Sequence, residues 1–294
     1  MSATRTAQVE QRTLLAADGI AVSAAHLPSL DGSAPDGGTV FVVAHGFSGS
    51  WRSSSLTRVT RVLSERAGVV AFDFRGHGRS QGYSTLGDLE VLDLDAAVRW
   101  ARLLGYRSVA TVGFSMGASV VIRHAALYRG VDAVVAVSGP ARWYYRGTAT
   151  MRRLHFLVEH PIGRLFARVA MGTRIHDEGW DPVPAEPRAV AGDVAPTPLL
   201  VVHGDQDRFF PLEHAEELAA AGGRTTELWV ESGFGHAEAA IDDELTRRIA
   251  AWVRAVVASA TPLHPAGGGS PGVPEAFGGA AAPVRRVKRG QVGA

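Results

Sequence analysis

The chain has 294 residues, enough to bury one large core, with 46% apolar and 20% charged residues and a formal net charge of +1. That balance offers no basic face of the kind nucleic acid needs, so no nucleic-acid partner is expected. There is no cysteine, which excludes disulfides, thiolate metal sites and a cysteine nucleophile.

Residues 1–15 lack an apolar core and cleavage signal, and no apolar stretch approaches a membrane span, so the expected location is the cytoplasm. Residues 11–17 and 20–27 read as two antiparallel edge strands across the hairpin signal Asp18-Gly19. Residues 39–44 form a buried strand that runs into His45-Gly46-Phe47-Ser48-Gly49. The apolar run 68–72 leads into Asp73-Phe-Arg-Gly-His-Gly-Arg-Ser80. The chemistry of that string suits either a phosphate or metal site or a hydrogen-bonded loop. A helix follows over 86–104, with Asp88, Glu90, Asp93 and Asp95 early and Arg99 and Arg102 late, as the helix dipole favours. Its acidic row is expected to be a solvated face. Metal spacing is not evident elsewhere, so no metal is expected.

The central signal is Gly113-Phe114-Ser115-Met116-Gly117, between a strand at 108–114 and a helix at 116–128. This is G-x-S-x-G in the strand–turn–helix setting of a nucleophile elbow. The turn is tight and demands glycine beside the serine. A hydroxyl needs a base to take its proton and an acid to orient that base. A strand at 131–137 follows, and then residues 139–195 break the alternation of strand and helix. Within them residues 142–146 are aromatic and basic, 151–171 read as one or two amphipathic helices broken near Pro161, and prolines crowd 181–198. His155, His160 and His176 read as surface or capping residues. The rhythm returns with a buried strand at 198–204. Asp205 and Asp207 lie just past its end, with Pro211 heading a helix. A strand at 226–231 ends in Ser232-Gly-Phe-Gly-His236, and a helix is expected from about 239 to 257. Serine, then acid, then histidine is the order in which such partners follow on this kind of sheet. Both aspartates remain candidates on position alone. The N–H of Met116, next to the nucleophile, is the first candidate for an oxyanion hole. Residues 261–294, rich in Gly, Pro and Ala, read as a disordered tail carrying Arg285, Arg286, Lys288 and Arg289 against Glu275.

These strings, in element order over about residues 10–258, resemble the α/β-hydrolase superfamily. The likeness is strongest to bacterial carboxylesterases and to monoacylglycerol-lipase-like and serine-aminopeptidase-like hydrolases. It implies an α/β fold, the α/β-hydrolase fold: an eight-stranded mostly parallel sheet with helices on both faces and an inserted helical cap. Residues 1–138 and 196–260 would be the core and 139–195 the cap. His203, Gly204, Asp207 and Pro211 match H-G-x-x-D-x-x-x-P, which selects Asp207 as the acid and leaves Asp205 as a turn residue. The expected triad is Ser115, Asp207 and His236. His45-Gly46-Phe47 resembles the H-G-x loop of bacterial esterases, so the N–H of Phe47 joins that of Met116 as oxyanion donor, with His45 a hydrogen-bonder under the loop. The 73–80 string resembles a D-x-R-G-x-G-x-S loop that is structural in the superfamily, with Asp73 and Arg75 fixing the backbone. Trp143, Tyr144 and Phe156 are candidates for the pocket wall, or else they pin the cap to the core. Dehalogenases and epoxide hydrolases of this fold use an aspartate nucleophile, which Ser115 argues against. The implied function is a serine hydrolase acting without cofactor or metal on a carboxylic ester of a small or medium, mostly apolar substrate. C–C bond hydrolysis of a diketone and peptidase action occur on similar triads, and a non-catalytic binding protein on the same scaffold is the rival from another class.

Overall fold

In the computed structural model, residues 9–32 and 38–259 are described; the basic-tail expectation falls outside them. Strands β1 (Glu10–Leu15), β2 (Ala21–Leu27), β3 (Thr39–Ala44), β4 (Gly68–Phe72), β5 (Ser108–Phe114), β6 (Ala133–Val137), β7 (Leu199–Gly204) and β8 (Thr226–Glu231) form one sheet. Their order is β1-β2-β4-β3-β5-β6-β7-β8. β2 is antiparallel to β1 and to β4, and every pairing from β4 to β8 is parallel.

The side-chain alternation of a strand builds a core on each face. On β3, Val40, Val42 and Ala44 join one cluster, with Leu94 and Trp100 of α2 (Glu90–Leu103) and Val121 of α3 (Met116–Tyr128). Phe41 and Val43 point the other way, to Leu56 and Leu63 of α1 (Ser54–Leu63) and to Ile249 and Val253 in the helix over Asp243–Ser259. β3 to β7 are buried on both faces, whereas β1 is an exposed edge. Between β6 and β7 come α4 (Ala149–Glu159), α5 (Pro161–Ala170) and the short α6 (Pro187–Val190). The break between α4 and α5 falls at His160-Pro161, because proline supplies no N–H for α4 to continue and suits the first turn of a new helix. α7 (Glu213–Gly222) lies between β7 and β8; α8 (Ala237–Ala240) and α9 (Asp243–Ser259) follow β8.

Several sequence expectations need adjustment. α2 starts at Glu90 rather than residue 86, because Leu86 and Gly87 have positive φ and the Glu90 carboxylate accepts the N–H groups of Thr85 and Gly87. The acidic row of α2 is not a solvated face: Glu90 and Asp93 have no solvent exposure. Asp93 receives the Arg75 guanidinium at 2.8 Å and the Arg75 N–H at 2.8 Å, so these acids anchor the loop after β4. The last helix is two, interrupted at Ile241-Asp242, where Asp242 accepts the Leu245 N–H at 2.7 Å as a cap. α1 carries no expectation from sequence, although Ser53 caps it through the Leu56 N–H.

Candidate active site

Loops at the C-terminal ends of β3, β5, β7 and β8 meet above the sheet, where parallel α/β sheets gather their chemistry. Ser115 sits at the turn from β5 into α3 with φ 51° and ψ −112°, a strained conformation for a residue with a side chain. The turn is possible because both flanking glycines are crowded. A Cβ on Gly113 would lie 2.2 Å from the Gly117 carbonyl oxygen, and one on Gly117 2.4 Å from that of Ala44. Ser115 is thereby held at the N-terminus of α3, with its own N–H bound to Val137.

His236, on the loop between β8 and α8, faces Ser115 with Nε2 2.9 Å from Oγ. Its Nδ1 is 2.7 Å from Asp207 Oδ2. A carboxylate only accepts, so Nδ1 carries the proton and the Nε2 lone pair is left for the serine hydroxyl. The Asp207 side chain is buried, and burial alone would raise its pKa. The bond to His236, its charge, and the N–H groups of Phe209 (2.8 Å) and Phe210 (3.1 Å) outweigh that, holding the carboxyl below its ordinary range. Phe209 stacks on the imidazole at 4.0 Å between centroids and fixes its plane. Asp205 makes no such contact; its carboxylate accepts the Gly233 N–H at 2.7 Å and closes the turn after β8.

The loop after β3 is fixed from beneath. His45 is fully buried, accepts the Phe74 N–H and donates to the Gly46 carbonyl. Burial, with His77 nearby, lowers its pKa to about 3, so it is neutral and occupied on both nitrogens. His77 accepts the Ser48 N–H at 3.1 Å. Asp73 accepts from Trp51 and Arg79 N–H, Ser50 Oγ and Arg52, while Arg75 spans Asp93 and Asp18. The 73–80 string is therefore a tie between loops, which accounts for Asp73, Arg75 and His77. Among the described residues no cluster of side chains has the makings of a metal site. Neither the Phe47 nor the Met116 N–H has a protein acceptor among them. Backbone donors are seldom left so without a purpose.

The three pocket candidates have contacts of their own. Trp143 donates through Nε1 to the Pro184 carbonyl and packs on Trp180 at 5.1 Å; Tyr144 meets the same indole edge-on. Both tie segments 143–144 and 180–186 together. Phe156 is exposed, lies against His160 at 4.4 Å and borders an open hollow of about 430 Å³ with Ala149, Arg152 and Arg153. No hydrogen bond or ring contact joins any of the three to Ser115, Asp207 or His236; the rings on His236 are those of Phe209 and Phe210.

Sequence reasoning missed Glu238. Its carboxylate accepts the Gly46 N–H at 2.9 Å across a separation of 192 residues. A Cβ built on Gly46 would be 3.2 Å from both Glu238 oxygens and 3.3 Å from Ser115 Cβ, so the carboxylate borders the nucleophile. Glu238 thus ties the segment bearing His236 to the loop bearing Phe47. Its only sequence signal is position, two residues past His236. Glu238→Ala should lower kcat on an ester roughly 10- to 100-fold by releasing that loop, whereas Glu238→Gln, which keeps an acceptor, should stay within a few-fold. Equal losses in the two variants would assign the effect to charge instead.

Residues 39–155 match the model of the alpha/beta hydrolase fold family. The esterase Pf2001 of Pyrococcus furiosus superposes with a TM-score of 0.67 at 22% identity, over 86% of this chain and 94% of that one. Est1E of Butyrivibrio proteoclasticus, solved with ferulic acid bound, gives a TM-score of 0.57 at 20% identity over 84% of this chain and 100% of that one. The chain has the α/β-hydrolase fold. In sequence it is similar to the monoacylglycerol lipase of Mycolicibacterium smegmatis, 28% identical over 183 residues, a match spanning 49% of this chain and 61% of that protein's length.

Proposed function

We propose that the protein is a serine hydrolase that cleaves a carboxylic ester through an acyl-enzyme on Ser115. The observation that carries this is the unbroken relay from Asp207 through His236 to Ser115, at 2.7 and 2.9 Å, beside two backbone N–H groups without acceptors. Ser115 Oγ bonds to the ester carbonyl carbon while His236 Nε2 takes its proton. The carbonyl oxygen, now negative, is held by the N–H groups of Phe47 and Met116. The tetrahedral intermediate collapses, the bond to the alcohol oxygen breaks, and His236 returns its proton to that leaving group. Water then attacks the acyl-enzyme by the same steps and frees the acid and Ser115. Asp207 holds the imidazole in the right tautomer and stabilises its charge. Nothing in this sequence requires a cofactor.

An ester substrate is favoured because the compared proteins are named as esterases and a monoacylglycerol lipase. Residues 139–195 would form a cap over the core of residues 9–138 and 196–259, excluding water and shaping a pocket for a mostly apolar acyl group. The test is a panel of p-nitrophenyl esters of rising chain length, with fluorophosphonate labelling and mass mapping of the adduct. The expected result is turnover of at least one ester and an adduct on Ser115 that Ser115→Ala abolishes. Labelling without ester turnover would point to a C–C or amide bond; no adduct would favour a binding protein.

A further inference from the structure

α4 and α5 pack against each other as a helical hairpin. The face of α5 turned to α4 is made of small residues, Gly163 and Ala167, both buried. Its large apolar side chains are mostly exposed. Ile162, Leu165, Phe166 and Val169 recur at the spacing of one helical face and are 79, 60, 58 and 78% exposed. Phe156 of α4 adds a further exposed ring. A run of this kind on one helix is not the scatter of single apolar residues that any surface shows.

Apart from Glu159, the acidic and guanidinium side chains of these two helices are all arginines. Arg152 and Arg153 stand on α4, and Arg164 and Arg168 on the flank of α5 away from its apolar stripe. The only acid in either helix, Glu159, is already engaged by Arg146 and His155. Arg153 and Arg168 are in no ion pair among the described residues. An apolar stripe on a convex helix, flanked by arginine, has the form of a helix that lies in a lipid–water interface with its apolar side down and its guanidinium groups at the headgroups. A second copy is disfavoured, since an isologous contact through this face would bring the two arginine sets together.

We infer that the α4–α5 hairpin docks the protein on anionic lipid surfaces, through the apolar stripe of α5 and the surrounding arginines. This rests on the ester-hydrolase reading for its purpose: the substrate class would be lipid esters presented at an interface, delivered to Ser115 from the surface on which the hairpin rests.

The test is co-sedimentation of the full chain with vesicles of phosphatidylcholine alone and of phosphatidylcholine mixed with phosphatidylserine. Binding should favour the anionic vesicles and weaken with salt. Leu165→Glu with Phe166→Glu should reduce affinity at least roughly tenfold. Arg153→Gln with Arg168→Gln should reduce it about thirtyfold at low salt and remove most of the preference for phosphatidylserine. All four positions are at the surface, so turnover of a water-soluble short ester should be unchanged in both variants and reports that they are folded. Ser115→Ala should bind vesicles as wild type does, so loss of ester chemistry and loss of docking are read separately. Absence of wild-type binding to either vesicle, equal binding by wild type and the Leu165/Phe166 variant, or a dimer in sedimentation that this variant dissolves would each overturn the inference.

Discussion

Ser115→Ala, His236→Ala and the double variant should all fall to the same floor, roughly a million-fold below wild type in kcat on the best ester. The reason is that in the proposed mechanism the two side chains act as one device. Without His236 the Ser115 hydroxyl has no acceptor for its proton; without Ser115 the imidazole has nothing to deprotonate at 2.9 Å. The second loss therefore adds little to the first. Asp207→Asn should cost less, roughly 10⁴-fold, because an amide can donate to Nδ1 and stabilise the wrong tautomer. KM should change little in these variants, since the groups act on the transition state. Stability should be nearly constant for Ser115→Ala, which keeps φ 51° with a side chain of similar demand. Steady-state kinetics on purified variants provide the check. Losses that multiply from Ser115 to His236 would mean that they act independently and that the relay is not the catalytic unit.

The site was legible to the extent that its parts lie in short strings governed by local rules. Gly113 and Gly117 announce Ser115 because the elbow has no room for a Cβ at either place, and that demand is written in five residues. β5 and β7 are legible because a strand buried on both faces is a continuous apolar run. What the strings could not give was partnership across the fold. Glu90 and Asp93 look like the solvated side of an amphipathic helix until the loop after β4 brings Arg75 to Asp93 and the Thr85 and Gly87 N–H groups to Glu90. Glu238 has no visible duty until β3 brings Gly46 to it. Trp143 and Tyr144 are aromatic, as pocket walls often are, yet the partners the fold gives them, Trp180 and Pro184, come some forty residues along an irregular, proline-rich path that no periodicity describes. In α5 the amphipathic pattern is readable, but it does not say whether the apolar side meets the core or remains uncovered.

Acid should destabilise this protein between pH 7 and pH 5 because its buried histidines resist protonation, a loss partly offset by Asp93, which burial raises to about 6. Burial, reinforced by neighbouring His77, lowers the pKa of His45 to about 3; burial, reinforced by the charge of Arg142, lowers that of His214 to about 4. Neither has solvent exposure. Each ring accepts a backbone N–H, from Phe74 to His45 and from Ala141 to His214, and cannot be protonated there without losing it. In the unfolded chain both would titrate near 6.5. The sign follows directly. Between the native and unfolded values the unfolded state binds more protons, so stability rises with pH and is lost as pH falls below about 6.5. At pH 5 each such histidine costs about 2 kcal/mol relative to pH 7, so the pair costs about 4 kcal/mol. His26 and His77, lowered mainly by burial, act in the same direction. Asp207, held below its ordinary value, adds a further loss only at lower pH, as it takes up its proton. Urea unfolding at pH 7 and pH 5 measures the difference, and His214→Asn isolates one share of it. The amide oxygen of asparagine can take the place of Nδ1 as acceptor for Ala141 but does not titrate, so the fall for that variant should shrink by about 2 kcal/mol. A fall from pH 7 to 5 that is as large in His214→Asn as in wild type would mean that this ring accepts its proton in the folded state, and that its hydrogen bond from Ala141 is not the one described.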